Sequence, residues 1–174
     1  MISEIAVALL RTCGADRVPH SGRTLLDHLT GTARILDSWA EPDWVVHGGL
    51  LHSVYGSPAG GRPLLTPGAR PVVRSVVGPS AETLAYAFAH RAPGAFPVPD
   101  SPELRLGDGS TLTVDAPLRH ALADVYAANL LEQLPRLGLA HLADARPTLR
   151  SLTPFLSPAA RARCSPALPP GWLA

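Results

Sequence analysis

Residues 24–56 read TLLDHLTGTARILDSWAEPDWVVHGGLLHSVYG, and their apolar spacing is helical throughout. Thr24 ahead of Leu25-Leu26-Asp27 is a capping-box-like start. The helix predicted from Leu25 to Trp39 carries Leu25, Leu29, Thr32, Ile35, Leu36 and Trp39 along one stripe. Pro42 sits where a first-turn proline is tolerated, and a further helix is predicted from Asp43 to Val54.

Outward from this stretch the pattern stays helical. Ile2 to Cys13 has Ile5, Ala6, Leu9 and Leu10 on one face, with Gly14 as its stop. A polar connection occupies 15–22. Residues 56–67 are rich in Gly and Pro and read as an irregular loop. Residues 70–77 contain VVRSVV, which suits a short helix or a strand. Gly78-Pro79-Ser80 caps a helix from Ala81 to His90, and a proline-rich loop spans 92–102. LRL, a GDGS turn and TLTV, within 104–114, form one predicted hairpin. Asp115 opens a long helix, Ala116 to Leu137. Pro147 to Phe155 and Pro158 to Cys164 read as short closing helices. The expectation is an all-α bundle with one small β-hairpin, a single domain over 1–164, and an extended Pro-rich tail over 165–174.

Composition narrows the function classes. The chain has 174 residues, 46% hydrophobic and 17% charged, with a net charge of +1. That suits one globular domain. It carries no basic run, so neither nucleic acid nor an anionic membrane is an expected partner. All 15 basic residues are arginine, which removes Schiff-base and pyridoxal chemistry on lysine. The Ala, Arg, Gly and Pro content suits a GC-rich bacterial genome. Cys13 and Cys164 form no CxxC pair. The amino-terminal stretch has neither the basic start of a signal peptide nor the length of a membrane span, so a cytoplasmic protein is expected.

The histidines carry the most information. His28 lies on the apolar stripe of its helix and needs a hydrogen bond, a carboxylate or a metal. His52 follows Gly48-Gly49, two poor helix formers tolerated where another helix or a ligand comes close. Asp124, in ALADVYAANLL, has Ala121, Ala127 and Ala128 beside it on its helix. A carboxylate on such a face is expected to be buried and paired, with His120 one candidate partner. Taken singly, each is a satisfied core residue as readily as a ligand. Together they make a two-His, one-carboxylate set, which holds a divalent metal with positions open for water or substrate.

At these residues the chain resembles the HD-domain metalloenzymes. That family is helical and binds metal through a His on one helix, a His-Asp doublet ending a later helix, and an Asp on a distal helix. His28 in LLDHL resembles the first His, His52 in GLLHSVYG the doublet's His, and Asp124 the distal Asp. The likeness covers roughly 20–135. It departs at Ser53, which stands where the doublet has Asp. The HSVYG and HSGRTLLDHL phrases look like an HD-like subgroup in which this serine is usual. The resemblance implies a divalent-metal enzyme, with Fe, Mn, Co, Ni or Zn held by His28, His52 and Asp124. Metal-activated water would hydrolyse a small anionic metabolite. An iron oxygenase on the same ligands is one alternative. A metal-free acid–base cyclase or isomerase, or a binding module, is the other.

Other residues are candidates beside this set. His20 lies at the site's edge. Glu82, Tyr86 and His90 share a helix face, with Glu82 and Tyr86 as general acid or base and His90 toward substrate. Tyr55 follows the His52 motif. Arg23 and Arg74 are candidate oxyanion forks, with Ser53 beside them. His47, His120 and His141 are read as structural. A small-molecule substrate is expected, and a homodimer stays open. The Gly60-Gly61 and Gly107-Asp108-Gly109 runs lack a phosphate loop's context, and no GxSxG elbow appears.

Overall fold

The computed structural model describes the chain apart from residues 59, 97–100 and 174 and the side chains of His141 and Leu142. Among the described residues eight α-helices run α1 (Glu4–Thr12), α2 (Leu25–Ser38), α3 (Asp43–Leu50), α4 (Arg70–Val77), α5 (Pro79–His90), α6 (Ala116–Leu142), α7 (Arg146–Leu152) and α8 (Pro158–Ala167). Two antiparallel pairs accompany them: β1 (Pro19–His20) with β2 (Arg23–Thr24), and β3 (Glu103–Arg105) with β4 (Thr111–Thr113). The fold is all-α with small hairpins. Among the described residues no helix is long and apolar enough to cross a membrane.

The capping box forms as expected. Thr24 Oγ1 accepts from the Asp27 amide at 3.1 Å, and the Asp27 carboxylate accepts from the Thr24 amide at 3.2 Å. α2 then buries Leu25, His28, Leu29, Thr32 and Leu36 against α3 and α6. α3 stops at Leu50, four residues before the expected Val54. The Gly49 carbonyl, which a continuing helix would offer to the Ser53 amide, instead accepts from His52 Nδ1 at 2.7 Å and from the His52 amide at 3.4 Å. The helix therefore unwinds into the turn that carries His52.

The glycines before that turn are steric. An ideal Cβ on Gly48 would stand 2.5 Å from Leu84 Cδ2, and one on Gly49 would overlap Leu36 Cδ1. Gly48→Ala is expected to lower stability by about 1–3 kcal/mol through overpacking of α3 on α5, even against alanine's better helix propensity. Urea unfolding measures this. A variant as stable as the parent would mean that the two helices separate freely.

One open reading closes and three further expectations change. Residues 70–77 are helical, because Val73 and Val77 at i and i+4 both enter the core. A second hairpin replaces the polar connection at 15–22. Ser21 and Gly22 turn it with φ of 46° and 78°, the left-handed pair that a two-residue hairpin needs. α6 runs past Leu137 to Leu142, with its break at Gly138, where φ is 71°. The expected extended tail is partly helix, since α8 reaches Ala167, and Leu168 and Trp172 join the core. Their apolar area outweighs the prolines around them.

Candidate functional site

Two buried histidines meet in the centre of the bundle. His28 Nε2, from α2, lies 3.3 Å from His52 Nε2, from the turn after α3. The two are 1% and 2% exposed. His28 Nδ1 reaches Glu132 Oε2 on α6 at 2.5 Å. Glu132 is itself paired with Arg23 and with Arg136, whose Nη1 lies 3.3 Å from Oε1. Two guanidiniums on one carboxylate hold it ionised, so His28 Nδ1 carries the proton that it donates. His52 Nδ1 faces a carbonyl, which only accepts, so it too carries its proton.

Both Nε2 atoms of the neutral rings are then lone-pair acceptors facing one another. Burial first, and then the neighbouring His52, His20 and Arg23, push His28 well below the usual imidazole range. Burial also takes His52 to about 4. Neither ring is charged at neutral pH. Asn129 lies beside both rings in the cavity wall. Its Oδ1 accepts from Gln133 Nε2 at 3.1 Å. Asn129, Glu132 and Gln133 stand at i, i+3 and i+4 on one face of α6.

A cavity of about 390 Å³ opens on this pair, lined by His20, His28, His52, Ser53, Arg91 and Asn129 among others. That volume suits a small metabolite. His20 stacks on His28 with ring centroids 4.3 Å apart, and its Nε2 is buried without a hydrogen-bond partner. Among the described residues no Asp or Glu lines the cavity. A larger, more open cleft of about 480 Å³ lies by Trp44 and the start of α6. It has no histidine, and its one carboxylate, Asp115, caps α6 by accepting from the Leu118 amide at 2.9 Å.

Asp124 does not join the histidines. Its Oδ1 accepts from the Ser157 amide at 3.0 Å, and its other neighbours include Glu41 and Cys164. Asp124 and Asn129 are five residues apart, about 140° around a helix, so only one of them faces the pair. His120 is not its partner either, because His120 Nδ1 bonds the Phe155 carbonyl at 2.6 Å. Among the described residues no three His, Cys, Asp or Glu side chains form a metal-holding group.

The remaining candidates divide in two. Ser53 and His20 line the cavity, while Arg23 is spent on Glu132 rather than free for substrate. Glu82, Tyr55, Tyr86, His90 and Arg74 build a separate structural clamp. Glu82 is fully buried and accepts from Arg70 at 2.6 and 3.0 Å, from Arg74 at 2.7 Å and from Tyr55 OH at 3.2 Å. Burial alone would raise its pKa, but the two arginines outweigh that and hold it below the usual value. Tyr86 lies under the Arg70 guanidinium, 3.8 Å from it, and against His90. The clamp joins α4 to α5 and anchors the turn bearing His52. His47 Nε2 bonds the Met1 carbonyl at 3.1 Å, a structural role as expected. The side chain of His141 lies outside the described residues.

Glu132, Asn129 and Arg91 were not anticipated. The readable signal for the first two was the run of polar residues Asn129, Glu132 and Gln133 on one face of α6.

Residues 9–91 match the model of a family described as a Domain of unknown function (DUF6817). The match runs from the last turn of α1 through α5 and so takes in His20, His28, His52 and Arg91, but not α6 with Asn129 and Glu132. No curated protein matches the chain, and no solved structure does.

Proposed function

We propose that the chain acts on a small anionic metabolite by metal-free proton transfer, an isomerisation or a cyclisation, with His28 and His52 as the base pair. The observation that carries this reading is the pair of Nε2 atoms 3.3 Å apart, facing a cavity that among the described residues is lined by arginine and by no carboxylate. A proton taken from substrate enters at His28 Nε2. Glu132, behind Nδ1, offsets part of the burial that otherwise disfavours the imidazolium. His52 Nε2 then accepts a hydrogen bond from it, so the pair shares one proton. At neutral pH both rings are already in the base form.

The ion set expected from the HD resemblance fits poorly. Asn129 stands on the distal helix where a carboxylate ligand was expected, and Ser53 stands in the doublet. Neutral donors beside two guanidiniums favour an anion over a dication. One observation still favours a second reading. Two imidazole nitrogens at about 2.05 Å from a common tetrahedral ion stand about 3.4 Å apart, and each Nδ1 is tied as metal-ligating histidines are. His28 and His52, with the Asn129 amide flipped, would then hold a borderline divalent ion. Such an ion would polarise a substrate oxygen or activate water for hydrolysis.

One experiment separates the two. Chelator-treated protein is incubated in D2O with a panel of small 2-oxo and hydroxy acids. Solvent deuterium is expected at carbon, and His28→Ala is expected to abolish its incorporation. Turnover that appears only when a stoichiometric metal is restored would overturn the metal-free reading in favour of the second.

A further inference from the structure

Arg91 ends α5 and lies beside His52 in the cavity wall. Its guanidinium is stacked 4.0 Å from the Phe88 ring centre and 4.5 Å from that of Phe96. Among the described residues its one hydrogen bond runs from Nη1 to the Phe88 carbonyl, and no carboxylate lies within ion-pairing reach. A charge in such surroundings is normally matched by a counter-charge, because removing it from water is costly. The arginines around Glu132 and Glu82 are so matched: Arg23 and Arg136 on Glu132, Arg70 and Arg74 on Glu82. Arg91 stands apart as a cation with aromatic walls and an open cavity in front.

We propose that Arg91 is the anchor for the carboxylate of a small organic acid whose apolar body lies along Val18, Leu25 and Phe88. One part-buried positive charge, walled by aromatic rings, is neutralised by one negative charge. The Nε and Nη2 edge left by the Phe88 bond is the fork that a carboxylate fits bidentately. Arg62, the other cavity arginine, is exposed at the rim and does not add a second buried charge for a phosphate dianion. The orphaned His20 Nε2 supplies a further polar contact at the cavity edge. Burial lowers the Arg91 pKa to about 10, which leaves it charged at neutral pH.

This inference rests on the small-anion reading of the cavity but not on the proton-transfer step. Calorimetric titration of chelator-treated protein with butyrate, benzoate and inorganic phosphate tests it. The two carboxylates are expected to bind, phosphate to bind at least tenfold more weakly, and Arg91→Gln to weaken the carboxylates at least tenfold. Arg91→Lys keeps the charge without the fork and is expected to fall between. His28→Ala removes the proposed base and is expected to keep carboxylate binding, so a failed chemistry and a failed anchor give different results. Because Arg91 packs on Phe88, a second readout uses the parent protein. The Arg91 Nε–H resonance is expected to move during the benzoate titration. Carboxylate affinity unchanged in Arg91→Gln, phosphate binding as tight as carboxylate binding, or a stationary Nε–H resonance would each overturn the assignment.

Discussion

Glu132→Ala is expected to lower the unfolding free energy by about 3–5 kcal/mol, the range for breaking a buried charge pair from one side. The carboxylate is 7% exposed and carries three partners: Arg23, Arg136 and His28. Arg136 is partly exposed and recovers solvation, so most of the loss falls on Arg23 and on the His28 Nδ1–H, which keep no acceptor. Urea unfolding at pH 7.5 measures it, and a loss below about 1 kcal/mol would show that water replaces the carboxylate. Glu132→Gln separates structure from chemistry. Its amide oxygen can still accept from arginine, and its NH2 then turns toward His28 Nδ1. That forces the proton onto Nε2 and removes the acceptor. This variant is expected to fold and to lose proton transfer. Gly31 belongs to the same arrangement, since a Cβ there would stand 2.9 Å from Glu132 Oε1.

The second large effect concerns the carboxylate that stays away from the cavity. Burial, aided by Glu41, raises the Asp124 pKa to about 7 from the ordinary 3.8. The folded state therefore prefers the protonated acid. That preference is fully present below about pH 4 and is lost as pH rises through about 7. Three pKa units set a ceiling of about 4 kcal/mol. His28 and His52 act in the opposite direction. They are held neutral by the fold, so they cost stability as pH falls below the ordinary histidine range. The clean quantity is the stability difference between Asp124→Asn and the parent across pH 4.5–8. Asparagine keeps an oxygen for the Ser157 amide and cannot ionise. The variant is expected to gain on the parent steadily over that range, by roughly 2–4 kcal/mol. A constant difference would mean that Asp124 stays ionised in the fold.

Much of the fold was legible because its signals are local. The Thr24 capping box, the stripe of α2, Pro42, the Asp115 cap and the β3–β4 turn each need only a few neighbouring residues. The same logic found His28 and His52, since a histidine on an apolar stripe and one after two packed glycines both demand a partner. What failed was long-range. Asp124 and Asn129 share one helix, and only the packing of α6 against α2 selects which of them faces the histidines. Alanine neighbours correctly marked Asp124 as buried but could not say against what. Glu82 and Arg74 looked chemical because they are charged, yet they satisfy one another out of the cavity's reach. Arg91 gave no local signal at all, because its meaning lies in having no carboxylate partner among the described residues.

The most direct test of the account is a long-range proton–nitrogen correlation spectrum of the imidazoles, recorded on the protein as purified and again after chelation. Two neutral rings are expected, each protonated at Nδ1 and bare at Nε2, with the same shifts in both samples. Nε2 resonances of His28 and His52 that carry the signature of a bound metal before chelation and lose it afterwards would contradict this.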